Sequence, residues 1–118
     1  MKKTKMLKKN YEFKNVLTKG KYYSGERIEA FIKKNNSEKK YNFLGIAISS
    51  KIFKAVRRNH IKRLIRENYK NYEKELKNSF SIVFLWKKKS EFEYATYENI
   101  RNDMKTIFKK ANIFIEGE

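Results

Sequence analysis

Four of the six arginines in this 118-residue chain, Arg57, Arg58, Arg63 and Arg66, lie within ten consecutive positions. The chain also carries 24 lysines, so a lysine habit explains a basic surface but not a knot of arginine. A guanidinium offers a rigid fork of donors that fits phosphate oxygens and base edges, which a lysine ammonium cannot copy. The surrounding residues 51–70 hold eight basic side chains against Glu67 alone, a net of +7. Residues 1–23 hold eight lysines against Glu12, again +7. Fourteen of the formal +17 charges therefore sit in two segments. That concentration points to a polyanion: nucleic acid first, with a membrane surface or an acidic protein as the alternatives.

Other chemistries are poorly supplied. The absence of Cys excludes a disulfide scaffold, a thiolate metal site and a cysteine nucleophile. A single histidine, His60, excludes a multi-histidine metal centre and the common catalytic triads. A protein nuclease needs carboxylates or histidines to hold metal and activate water, and the basic segments contain only Glu12 and Glu67. Asp103 and the glutamates of the C-terminal helix read as helix-stabilising charges, not as a metal site. No run reaches the roughly 18 apolar residues of a membrane span. Lys14 and Lys19 interrupt the stretch after the basic N-terminus, so no signal-peptide core is expected. A soluble, cytoplasmic protein without membrane association is the expectation.

These cations need a scaffold, and 40% hydrophobic residues with 18 aromatics supply one. With no proline, linker or repeat, residues 1–118 are expected to form a single domain, with residues 1–9 as a basic, mobile arm. The spacing predicts a helix from Asn10 to about Lys19 that buries Phe13, Val16 and Leu17, stopped at Gly20. Strands are predicted over 27–34, with Ile28, Ala30 and Ile32 on one face, and over 41–49, joined by a polar loop at 35–40. Residues 55–77 carry an apolar stripe of Ile61, Leu64, Ile65, Tyr69, Tyr72 and Leu76 at helical spacing. At about 100° per residue, Lys62, Arg63, Arg66 and Lys70 fall on an arc beside that stripe. The run at 80–86 predicts a buried strand, and residues 93–110 a last helix. The order αββαβα implies an α/β (α+β) two-layer sandwich, its small mixed sheet covered mainly on one face.

The segment Ala55-Val56-Arg57-Arg58-Asn59-His60-Ile61-Lys62-Arg63-Leu64-Ile65-Arg66-Glu67 resembles the signature helix of the bacterial ribonuclease P protein component. That family's pattern is roughly Ala-Val-x-Arg-Asn-Arg-x-Lys-Arg-x-x-Arg. The Lys-Lys-Asn-Tyr-Glu-Phe opening, Val16 with Gly20, the strand from Gly45 to Ser49 and the overall length are similar too, so the resemblance spans nearly the whole chain. It implies a left-handed βαβ crossover. It also implies partnership with a catalytic RNA subunit that uses Mg²⁺ to remove the 5′ leader of precursor tRNA; no protein-bound metal and no obligate protein partner are expected. By position, Arg58, Asn59, Lys62, Arg63 and Arg66 become the RNA-facing set, with His60 and Lys51 beside them. Phe13, Leu17 and Phe31 become the lining of a leader cleft.

Three positions depart from the pattern. His60 replaces the usual second motif arginine, which makes that contact neutral or pH-dependent. Ser50 and Phe53 stand where Lys and Gly are frequent, and Leu17 replaces a frequent aromatic. Read without the resemblance, Phe13 and Phe31 suit plain core, Asn59 suits a cap or backbone brace, and His60 suits a surface imidazole with no orienting partner. A single-stranded leader of variable sequence calls for phosphate attraction and sequence-tolerant stacking. Five phosphate contacts would give a slope of roughly −3.5 to −4.5 for log K against log salt. Two further readings compete: an RNA-binding or ribosomal protein without linked catalysis, and a helix-turn-helix DNA binder. The second lacks a paired scaffold helix.

Overall fold

The computed structural model describes residues 3–36 and 40–115. In chain order these form β1 (Thr4–Met6), α1 (Asn10–Lys19), β2 (Lys21–Ser24), β3 (Ile28–Lys34), β4 (Asn42–Ala47), α2 (Ala55–Tyr72), β5 (Phe80–Trp86) and α3 (Tyr97–Lys110). The five strands make one mixed sheet in the order β1-β4-β5-β3-β2. β4 runs parallel to both β1 and β5, while β3 is antiparallel to β5 and β2. Adjacent, parallel β4 and β5 are joined through α2, which makes a βαβ unit.

Alternation along the strands sorts the side chains onto two faces. Ala30, Phe84 and Ile46 lie in one cross-strand row and, with Ile28, Ile32, Leu44 and Ile82, form the core under α2 and α3. The stripe Ile61, Leu64, Ile65, Tyr69 and Tyr72 docks α2 on this face, and Ile100, Met104, Ile107 and Phe108 dock α3. Each such side chain, fully buried, contributes about 1.5–3 kcal/mol. The opposite face is covered by α1 alone: Val16 is buried against Leu7 and Val83, while Phe13 and Leu17 are only half-buried.

α1 begins where the Glu12 carboxylate accepts from the backbone N–H groups of Lys8 at 3.1 Å and Lys9 at 2.8 Å. It ends at Gly20, whose backbone is extended, so the glycine answers close packing and not a left-handed turn. A Cβ there would stand 2.6 Å from the Val16 carbonyl oxygen and 3.2 Å from the Ile32 backbone.

Several expectations change. Residues 4–9 are not a free arm: Thr4–Met6 pair with Asn42–Leu44, the buried Thr4 Oγ1 shares a 2.8 Å hydrogen bond with Tyr69 OH, and Leu7 is buried. Met1 and Lys2 lie outside the described residues, as do 37–39 of the expected polar loop. β1 and β2 turn the expected αββαβα order into βαβββαβα. The long helix stops at Tyr72 and tightens into a 3₁₀ turn, Glu73–Glu75, after which Leu76 still reaches the core. The last helix starts at Tyr97, capped by Thr96 Oγ1 accepting from the Asn99 N–H at 3.2 Å. Asp103 is no surface helix charge. It is buried and accepts from the N–H groups of Arg27 at 2.7 Å and Ile28 at 3.2 Å, and from Arg27 Nη1 at 3.0 Å, fastening α3 to the start of β3.

Candidate nucleic-acid interface

The first turn of α2 has neither an acidic residue nor a side-chain cap. Helix N-termini leave N–H groups without intrahelical partners, and these donors together with the helix dipole favour an anion. Here Arg57, Asn59, Arg63, Arg66 and Lys70 are exposed, and Arg58, His60 and Lys62 half-buried, around the solvent side of the helix. Among the described residues, no α2 cation lies within ion-pair distance of a carboxylate. Among the described residues, the helix therefore presents cations that no carboxylate pairs directly.

Neighbouring groups fix several of these side chains. Arg58 Nη1 donates to the Phe53 carbonyl oxygen at 2.6 Å, so part of its fork braces the turn before the helix. Lys51 is exposed in that turn, its N–H donating to Ser49 Oγ at 3.1 Å. The Arg57 guanidinium sits 4.6 Å over the Phe92 ring, and His60 meets the same ring at 5.7 Å. Arg63 Nη2 donates to His60 Nδ1 at 3.3 Å. A guanidinium has only donors, so this arrangement uses the imidazole as an acceptor. His60 thus has a neighbour in Phe92 that sequence spacing alone did not supply. Phe53 packs 6.4 Å from Trp86 and 5.7 Å from Phe92. Asn59 makes no side-chain hydrogen bond among the described residues.

The structure brings Phe13, Leu17 and Phe31 together. They surround buried Leu7, Val16 and Val83 with half-buried Phe43, Ala47 and Leu85, which makes an apolar trough between α1 and the sheet. Phe13 lies over β4: a Cβ on Gly45 would be 2.5 Å from its Cε1 atom. Tyr22, which sequence reasoning did not single out, extends the trough, its ring 5.3 Å from that of Phe31 and about half exposed. The pairing of Tyr22 with Phe31 across β2 and β3 was readable only once β2 was known. Its hydroxyl donates to Glu29 Oε2 at 2.5 Å, and that bond raises the phenol above its ordinary value. Exposed cations and base-sized rings are thus held on one scaffold. Among the described residues no three His, Asp or Glu side chains gather as a metal site, and no helix is long and apolar enough to cross a membrane.

Comparison with known proteins places this geometry. The family model Ribonuclease P matches residues 1–112. The chain belongs to the ribonuclease P family. It is similar to the ribonuclease P protein component of Clostridium botulinum (strain Loch Maree / Type A3), 36% identical over 113 residues that cover 95% of this chain and 98% of that one. The component from Clostridioides difficile (strain 630) is 35% identical over 114 residues, 96% of each chain. Among solved structures, the ribonuclease P protein of Thermotoga maritima superposes with a TM-score of 0.78 at 30% identity, covering 96% of this chain and 99% of that one. The Staphylococcus aureus protein gives 0.77 at 30% identity, covering 93% and 97%. The mixed five-stranded sheet with three helices is therefore the ribonuclease P protein fold. Membership makes the chain a ribonuclease P protein subunit, part of a tRNA-processing endoribonuclease holoenzyme.

Proposed function

We propose that the chain binds the catalytic RNA of ribonuclease P along the exposed flank of α2 and holds the 5′ leader of precursor tRNA in the trough beneath α1. The observation that carries this reading is the pairing of an uncapped helix start and un-neutralised Arg63 and Arg66 with a half-buried aromatic cluster between α1 and the sheet. Phosphates of the folded RNA meet Arg63, Arg66, Lys62, Lys51 and the free donor of Arg58, with Asn59 and His60 as polar neighbours. Leader bases stack on Phe13 and Phe31, while Leu17 contributes apolar contact. Mg²⁺ belongs to the RNA in this scheme and supports hydrolysis of the leader there. The protein's residues bring substrate and RNA together by charge and stacking, with no protein group taking or giving a proton.

The test is reconstitution with candidate catalytic RNAs at low Mg²⁺, followed by assay of 5′ processing of precursor tRNA. Added protein should raise cleavage, with a larger effect on substrates that carry a leader. RNA binding without any gain in cleavage would favour an RNA-binding protein without linked catalysis. Cleavage by rigorously RNA-free protein would overturn the assignment of the chemistry to RNA.

A further inference from the structure

Five lysines, Lys19, Lys21, Lys33, Lys34 and Lys77, line a concavity of about 610 Å³ to which no carboxylate contributes among the described residues. They arrive from the last turn of α1, from β2, from β3 and from the segment that leads into β5. Two are anchored on neutral acceptors: Lys33 Nζ donates to Asn15 Oδ1 at 2.9 Å, and Lys77 Nζ to the Asn112 carbonyl oxygen at 3.2 Å. Neither bond removes charge. Solvated lysine surfaces are ordinarily interspersed with acids, whereas a concave wall of one sign focuses potential on whatever enters it. Half-buried Tyr23 and Phe80, with the amide of Asn78, line the same concavity.

This basin is neither of the surfaces described above. β5 starts in it at Phe80 and ends at Trp86, beside Phe53 and the approach to α2, about 20 Å away for seven extended residues. None of Phe13, Leu17 and Phe31 lines it. Through Lys33 it borders a separate groove along α1, lined by Tyr11, Lys14 and Asn15 but also by Glu12 and by Leu7, Val16 and Phe43 of the trough. Five cations spread around one concavity, with Tyr23 and Phe80 in its wall, fit a strand better than a point anion, and the volume suits nucleotide-sized groups, not a duplex.

We propose that the lysine basin forms a second RNA-binding site, which takes the phosphates of a single-stranded stretch distinct from the one in the trough. Removing three phosphate contacts should flatten the dependence of log K on log salt by about 2, and weaken binding tenfold or more near 0.1 M salt.

The test measures binding of the full-length chain to a fluorescein-labelled oligouridine of about twenty nucleotides over a KCl series. The variant combines Lys19→Gln, Lys21→Gln and Lys34→Gln, whose side chains hold nothing in place among the described residues. A control combines Lys88→Gln, Lys89→Gln and Lys105→Gln, which removes the same charge elsewhere. The proposal expects the basin variant to lose affinity and slope well beyond the control. Equal losses in both, or none in the basin variant, would overturn it. So would a basin variant that loses inorganic tripolyphosphate binding but keeps its RNA affinity. An Arg63→Ala/Arg66→Ala chain in the same assay separates the two sites. If its affinity is unchanged while the basin variant falls, the α2 assignment fails and the basin stands.

Discussion

Gly45→Ala tests the trough with one methyl group. The new Cβ would lie 2.5 Å from Phe13 Cε1 and 3.0 Å from Leu7 Cδ1. Carbon atoms settle at about 3.5–4.0 Å, so the Phe13 ring or the whole of α1 must retreat by roughly 1 Å. Overpacking of this kind costs about 1–3 kcal/mol. Phe13 is half-buried and can turn toward solvent, which puts the expected stability loss near the lower end. The functional loss should be larger, because stacking of a base on an aromatic ring contributes about 1–3 kcal/mol, a roughly fivefold to hundredfold change in affinity. Two measurements check this on the reconstituted holoenzyme and the isolated chain: affinity for precursor tRNA with and without its leader, and the urea midpoint. Gly45→Ala should weaken the leader-bearing substrate selectively. Adding Phe13→Leu removes the overlapping ring atoms and should restore the lost stability, with a coupling of about 1 kcal/mol between the two sites. Wild-type stability and leader affinity in Gly45→Ala, or no rescue by Phe13→Leu, would refute the placement of the ring over Gly45.

Arg63→Ala and Arg66→Ala should each weaken assembly with the catalytic RNA while the urea midpoint stays within about 0.5 kcal/mol of wild type, since both side chains are exposed. A cooperative unfolding defect in either variant would contradict that role. Asp103→Ala strips the acceptor from two backbone N–H groups and leaves Arg27 unpaired. It should cost about 3–5 kcal/mol by urea unfolding, with Asp103→Asn in between. Burial pushes the Tyr69 phenol up to about 12. An unfolded tyrosine ionises near 10, so this contribution to stability is intact below pH 10 and is lost as pH rises from 10 through 12. Relative to Tyr69→Phe, the wild-type chain should lose about 1.4 kcal/mol between pH 9 and pH 11; parallel pH profiles would show that the hydroxyl is not buried.

What the sequence made legible was whatever depends on period. The stripe from Ile61 to Tyr72, the apolar run of β5 and the alternation of Ile28, Ala30 and Ile32 each announce one element and its buried side. β1 and β2 escaped because Thr-Lys-Met and Lys-Tyr-Tyr-Ser are short and lysine-bearing, as suits the edges of a sheet. Thr4 is buried only because Tyr69, 65 residues away, offers it a hydroxyl. Asp103 looked like any acid on a helix, and its burial depends on two N–H groups more than 70 residues distant. The same limit applied to the candidate site. Spacing put Arg63 and Arg66 beside the docked stripe, but it could not pair His60 with Phe92, brace Arg58 on Phe53 or bring five lysines from four segments to one concavity.

The strand order also constrains how the molecule is made. β5 occupies the middle of the sheet, yet it is the last strand to leave the ribosome. Until it arrives, β1 with β4 and β2 with β3 are two separate two-stranded pieces, each marginal alone. The arginine-rich helix is synthesised earlier still, with nothing complete to dock against. A chain stalled before Phe80 therefore offers its clustered cations without a folded body behind them, and the insertion of one seven-residue strand converts that nascent polycation into a protein with defined surfaces.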